Sequence, residues 1–262
     1  MNAKIKFILL FILIFGTSLS GNDQEEFRWK IGEELTYKVK WSFVRLGTVT
    51  LQICDTLQMD SQKVYQTKLF IDSNPVLFFV NMHSVFESYI DESFYPHLFL
   101  AVEKIDGVKY DTQYRFDYDR KMIDVKMTDV KDTTRIIQKS IPFDQKVQDG
   151  MSLIFYARGN LSIVKKHNLI AFAEGEKGKL VLNTKGDGKE IGIDALEHKL
   201  PSYEVDGNAD FKAIAGFTGN YRGWFSKDSG RLPLKAEMKV FIGHISLELE
   251  SWQNWEPPVE LN

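Results

Sequence analysis

From Leu35 the chain alternates without a break: Leu35, Tyr37, Val39, Trp41 and Phe43 fall on one side and Thr36, Lys38, Lys40 and Ser42 on the other. A period of two predicts a strand with one wet face. After Arg45-Leu46-Gly47 a second alternating run sets Val49, Leu51 and Ile53 against Thr48, Thr50 and Gln52, so the two predict a hairpin. Similar runs follow at about 64–72, 84–90, 97–105, 109–118, 121–127 and 133–140, broken at Asp106-Gly107 and Asp119-Arg120 and ended by Pro142. Breaks this short join antiparallel neighbours, because a parallel crossover needs a dozen or more residues.

One segment departs from this period. Asp149 offers a carboxylate to the free amides of a first helical turn, and Met151, Leu153, Ile154, Phe155 and Ala157 make an apolar helix that Gly159 is expected to stop. A helix this apolar needs a cover, and in a chain of strands the cover is the concave side of a sheet. Asn74-Pro75, ahead of the apolar run Val76, Leu77, Phe78, Phe79 and Val80, suits the start of a second short helix. Strands resume at 169–173, 178–184, 189–193, 202–211, 221–226, 234–242 and 245–252, the last two flanking a Gly243-His244 turn. No linker or repeat interrupts residues 21–262, which read as a single β-rich domain. About 13 to 15 strands and one or two short helices predict a mainly β fold, a curved antiparallel sheet or open β-barrel.

The first twenty residues are of another kind. Lys4 and Lys6 precede nine apolar residues, Phe7 to Phe15, and the small Ser18 and Ser20 suit a signal peptidase. Nine helical residues span roughly 14 Å, about half of a hydrocarbon core, so a cleaved signal peptide over 1–20 is expected and not an anchor. The expected location is periplasmic or secreted, with no transmembrane span in the mature chain. The formal charge of −3 becomes −5 without Lys4 and Lys6, which argues against nucleic acid as a partner. A lone cysteine, Cys54, excludes an internal disulfide and lies in a strand pattern that reads as structural.

Candidate chemistry is sparse. The histidines, at 83, 97, 167, 198 and 244, fall at no metal-ligand spacing, and no cofactor motif is present. Asn183 to Gly188 has the outline of a calcium loop, but Lys185 stands where an oxygen ligand is needed, leaving a Gly-rich turn. Ser162-Ile163-Val164-Lys165 matches a serine–lysine pair without the motifs that accompany it in penicillin-binding enzymes. Ser152 reads as a helix cap. What remains is the run Val76, Leu77, Phe78, Phe79 and Val80, which is either a ligand-binding mouth on a curved sheet or part of the barrel filling.

Three groups of segments resemble the bacterial family known as domain of unknown function 3108. They are Gly32-Glu33-Glu34-Leu35-Thr36-Tyr37-Lys38-Val39 with Gly47 to Leu51, then Asp149 to Arg158, and finally Trp224 to Asp228, Arg231 to Leu234 and Gly243 to Leu249. The resemblance implies an exported, strand-rich envelope protein and supplies no catalytic or ligand residues. More loosely, the pattern is similar in fold to periplasmic open barrels that shelter lipoprotein acyl chains around a helix plug. The expected function is to bind a non-polar small molecule or an envelope protein. The alternatives are a hydrolase acting on envelope material and a structural protein without ligand. N-terminal sequencing of the exported protein is expected to start at Gly21; a mature chain beginning at Met1 would remove the case for export.

Overall fold

A computed structural model describes residues 26–77, 81–212, 218–239 and 244–258. The first half of the chain is a meander of eight strands: β1 (Glu34–Trp41), β2 (Val44–Met59), β3 (Gln62–Ser73), β4 (Met82–Asp91), β5 (Pro96–Ile105), β6 (Val108–Asp117), β7 (Met122–Thr128) and β8 (Ile136–Pro142). The second half opens with β9 (Val147–Gln148) and the helix α1 (Ser152–Asn160). It continues through β10 (Lys165–Ala173), β11 (Glu176–Asp187), β12 (Ser202–Ala209), β13 (Gly219–Ser226), β14 (Pro233–Lys239) and β15 (His244–Gln253). Short turns set the pairing. Asp60-Ser61, Asp106-Gly107 and Glu174-Gly175 each have positive φ at both central residues, the conformation whose twist matches a two-residue hairpin.

All strands lie in one sheet, ordered β8-β7-β6-β5-β4-β3-β2-β1-β15-β14-β13-β12-β11-β10-β9. Each pairing is antiparallel except β9 with β10. The chain therefore starts in the middle of the sheet, runs out to the edge at β8, crosses to the other edge at β9, and returns to pair β15 with β1. Only residues 143–146 separate β8 from β9, a reach of about 18 Å at full extension, so the two edges must curl toward each other. Side chains bridge them where the backbone ladder does not. Lys177 Nζ donates to the Pro142 carbonyl at 3.0 Å, the Tyr114 hydroxyl accepts from the Gly175 amide at 3.0 Å, and the Phe172 ring meets Tyr114 edge-on. The result is an open barrel with its core on the concave side.

Helix α1 fills that concavity. Asp149 Oδ1 accepts from the Met151 and Ser152 amides at 2.8 and 2.6 Å, while Ser152 Oγ accepts from the Asp149 amide at 2.9 Å. This reciprocal pair satisfies free donors of the first turn. Ser88 of β4 donates to the second Asp149 oxygen at 2.6 Å, tying the helix start to the sheet. Phe155 is fully buried and stacks on Trp29, which stacks in turn on Tyr65. Leu153, expected in the core, is only half-buried.

Several local expectations change. The helix does not stop at Gly159 but continues through Asn160, and the glycine is there for space: a Cβ would lie 2.1 Å from the Phe94 ring. Trp41 and Phe43 do not face inward, because β1 ends at Trp41 and Ser42 turns the chain with a φ of 55°. Residues 189–193 form a loop holding a single bridge, Ile191 to Leu200, in place of a strand. Lys38, on the expected wet face, is buried beneath that loop, paired with Asp194 and, at 2.8 Å, with Glu248. Residues 74–77 make a turn in which the Asn74 side chain accepts from the Val76 amide, and Gly243 lies outside the described residues.

Truncating Phe155 to Ala removes a fully enclosed ring from the centre of this packing and is expected to cost about 3–5 kcal/mol in a denaturant titration. A loss below about 0.5 kcal/mol, the range of surface substitutions, would place the helix outside the barrel.

Candidate functional site

Inside the barrel, between α1 and the two halves of the sheet, lies a cavity of about 270 Å³. Inward positions of β1, β2 and β3 contribute Tyr37, Val49, Leu51 and Leu69, and the helix contributes Leu153, Ile154 and Ala157. The opposite wall carries Leu180, Leu182, Val205 and Phe225 beside three small residues, Ala209, Gly223 and Ala236. The small residues create the space, since this wall has little side chain to place against the helix. Tyr221 forms the wall toward one end: its hydroxyl donates to the Val181 carbonyl at 2.9 Å. Gly207 allows that crossing, because a Cβ there would lie 2.5 Å from the Tyr221 oxygen and 1.9 Å from the Val181 carbonyl oxygen.

One polar group stands out within this lining. Tyr37 is 5% exposed, and its hydroxyl has no hydrogen-bond partner among the described residues. Burial pushes the phenol far above its usual range, with the nearby Arg158 and Glu33 charges acting on it in opposite senses. It therefore stays protonated and able to donate. An unmet buried hydroxyl costs about 1–3 kcal/mol, so the position favours anything that brings an acceptor.

The far end of the barrel is plugged by a buried ion pair. Arg158, near the end of α1, donates two bonds of 2.7 Å to the two Glu33 carboxylate oxygens and a third, of 3.0 Å, to the Gly230 carbonyl. Arg231 donates to the Arg158 carbonyl at 2.9 Å, meeting an end-of-helix acceptor with a cation. Phe27 lies under the Arg158 guanidinium.

Of the run singled out from sequence, Val76 and Leu77 are not among the residues that line the cavity. Val76 is exposed and Leu77 half-buried in the β3–β4 link, while Phe78, Phe79 and Val80 lie outside the described residues. Ser152 is the cap described above, and Ser162 Oγ accepts a 3.4 Å contact from Arg231. His167 is buried against Tyr156, at 3.1 Å, and burial with the nearby Lys165 lowers its affinity for a proton. The Cys54 thiol is pushed up by burial and is correspondingly unreactive. Among the described residues no three His, Cys, Asp or Glu side chains group as a metal site, and no helix is long and apolar enough to cross a membrane. The cavity was missed because its lining comes from eight strands and a helix. The one available signal was the small residues, Ala209, Gly223 and Ala236, at positions where inward side chains are usually large.

An open antiparallel sheet curled around one helix, with an apolar hollow between them, defines a β-barrel-like class of fold. The chain belongs to the DUF3108 family, proteins of unknown function, whose model matches residues 36–250. Among solved structures, a β-barrel-like protein of domain of unknown function DUF1849 from Brucella abortus is similar in fold, with a TM-score of 0.55 and 9% identity over 86% of this chain and 98% of that one. More distant are a candidate lipoprotein from Parabacteroides distasonis, at TM-score 0.38 and 9% identity over 87% and 97% of the two chains, and a candidate exported protein with a YmcC-like fold from Bacteroides fragilis, at 0.36 and 7% over 88% and 100%. No curated protein matches the chain.

The plug makes a testable demand. Replacing Glu33 by Ala leaves the Arg158 charge buried with only carbonyl partners, and thermal or chemical unfolding is expected to show a loss of about 3–5 kcal/mol. Stability close to that of the parent would mean that water reaches Arg158.

Proposed function

We propose that this protein, exported by its N-terminal leader, holds a non-polar ligand in the cavity between α1 and the sheet. The observation that carries the reading is the combination of an apolar lining with the buried, unpartnered Tyr37 hydroxyl. The apolar walls gain about 25 cal/mol for each Å² of ligand removed from water. The hydroxyl adds a single point of polar recognition, the usual division of labour in small-molecule sites. The volume of about 270 Å³ exceeds the ~150 Å³ at which an apolar protein cavity takes up benzene. A single alkyl or acyl chain bearing one hydroxyl or carbonyl oxygen fits these terms. A hydrolase finds less support, since the lining residues include no serine, histidine or carboxylate.

The test is titration of the purified mature protein with a fluorescent fatty-acid probe, together with native mass spectrometry for a co-purifying lipid. Wild type is expected to bind. Tyr37→Phe is expected to keep or raise stability while weakening binding by about five- to tenfold, the worth of one hydrogen bond. Ala236→Leu, which fills the hollow, is expected to abolish binding with the fold retained. A folded wild type that carries no lipid and binds no probe would contradict the proposal.

A further inference from the structure

Strands β1 to β8 run alternately toward and away from one end of the barrel, so the β1–β2, β3–β4, β5–β6 and β7–β8 links all lie at that end. Every one of these links exposes large apolar side chains. Phe43 is 90% exposed beside Trp41, Val76 is 80% exposed, Val130 is 69% exposed with Ile136 nearby, and Ile105 and Val108 flank the third turn. The links at the opposite end of the same strands, Asp60-Ser61, Glu92 to Tyr95 and Tyr118 to Lys121, expose no large apolar side chain, their rings being at least half-buried. The opposite end of the barrel also exposes Ile31, Leu57, Ile163 and Val164, but none of these lies in a hairpin turn of the meander, whereas at the first end every such turn carries them.

Basic residues stand directly behind two of these tips. The apolar pair Trp41–Val44 is followed one step down by Lys40 opposite Arg45, and the pair Ile105–Val108 by Lys104 opposite Lys109. The fourth link adds Lys131 and Arg135. Like charges facing each other across a ladder are unfavourable in water. They suit a surface where apolar tips enter the acyl boundary and the cations behind them meet lipid phosphates. Acidic neighbours share the rim: Glu250 binds Arg45, Asp111 lies 2.9 Å from Lys109, and Asp106, Asp129 and Asp132 occupy the turns. Insertion of the tips is thus the main attraction, with the basic pairs adding a preference for anionic headgroups.

We infer that this end of the barrel is a docking rim for the surface of a phospholipid bilayer, entered by the hairpin tips carrying Phe43, Val76, Ile105 with Val108, and Val130. Separate tips around a curved edge fit a fluid plane, which needs no matching pockets. The rim also continues the cavity: Ala209, Tyr221 and Met238, at or near the same end of β12, β13 and β14, line its wall. Docking by this end would turn the hollow toward the membrane, although docking itself does not depend on what the hollow holds.

The experiment is co-sedimentation of the mature protein with phosphatidylcholine vesicles, with and without phosphatidylglycerol. Wild type is expected to sediment with both and more strongly with the anionic ones. The triple variant Phe43→Ser, Val76→Ser, Val130→Ser is expected to lose about tenfold in partitioning while keeping its circular dichroism spectrum and its response to the fatty-acid probe. Exposed residues at the other end serve as a control, and Ile163→Ser with Val164→Ser is expected to bind vesicles as wild type does. Lys104→Glu with Lys109→Glu is expected to remove the preference for anionic vesicles. Wild type that stays in the supernatant, or a folded triple variant that binds vesicles as well as wild type, overturns the inference. So does a rim whose variants lose only capture of an envelope protein. Intact probe binding in those cases leaves the cavity reading standing.

Discussion

The pairing of β1 with β15 constrains everything else in this molecule. A sheet whose first and last strands are neighbours has both of its edges in the middle of the chain. The chain must therefore cross from one edge to the other, and it does so in the four residues between Pro142 and Val147. Such a short link forbids a flat sheet of fifteen strands, because the edges would stand far beyond its reach. Curvature follows from connectivity, and a concave side that must be filled follows from curvature.

The helix is placed where that crossing happens. It follows β9 directly, so the chain that joins the edges also enters the barrel, with Ser88 of β4 holding its start and Glu33, just before β1, holding its end. The anchors come from the meander half of the chain and the helix from the other, which couples the two halves through the interior as well as through the ladder. A charge pair at this depth is weak evidence of net stabilisation, since desolvation offsets much of its attraction. It does specify where the end of the helix must lie, because neither charge can be left alone there.

The hollow is a consequence of the same geometry. One cylinder cannot follow a twisted, curved wall along its length, and on the side where the wall offers Ala209, Gly223 and Ala236 the space is not made up. The floor is dense with stacked rings of Trp29, Tyr65 and Phe155, whereas the other end carries exposed apolar tips. One end of the barrel is thus filled by stacked rings, while the other carries apolar side chains on its hairpin turns, and the cavity wall extends toward the second.

The strands, their antiparallel order, the single covered helix and its cap were legible in the sequence, because each depends on neighbours within a few residues. Period-two alternation, positive-φ turns such as Asp106-Gly107, and Asp149 with Ser152 are local instructions. Where the local signal had two physical meanings, it misled: Gly159 looked like a helix stop and is a contact with Phe94, and Lys38 looked solvated and is covered by a distant loop. The cavity and the rim could not be read at all. Tyr37 is an ordinary inward residue of an alternating strand until the opposite wall, some 170 to 200 residues away in sequence, is found to be built of small side chains. Likewise, Phe43, Val76 and Val130 are scattered apolar residues until strand direction brings their turns to one end. Periodicity reports which face of a strand is dry, but only the closure of the sheet decides which dry faces meet and what they leave unfilled.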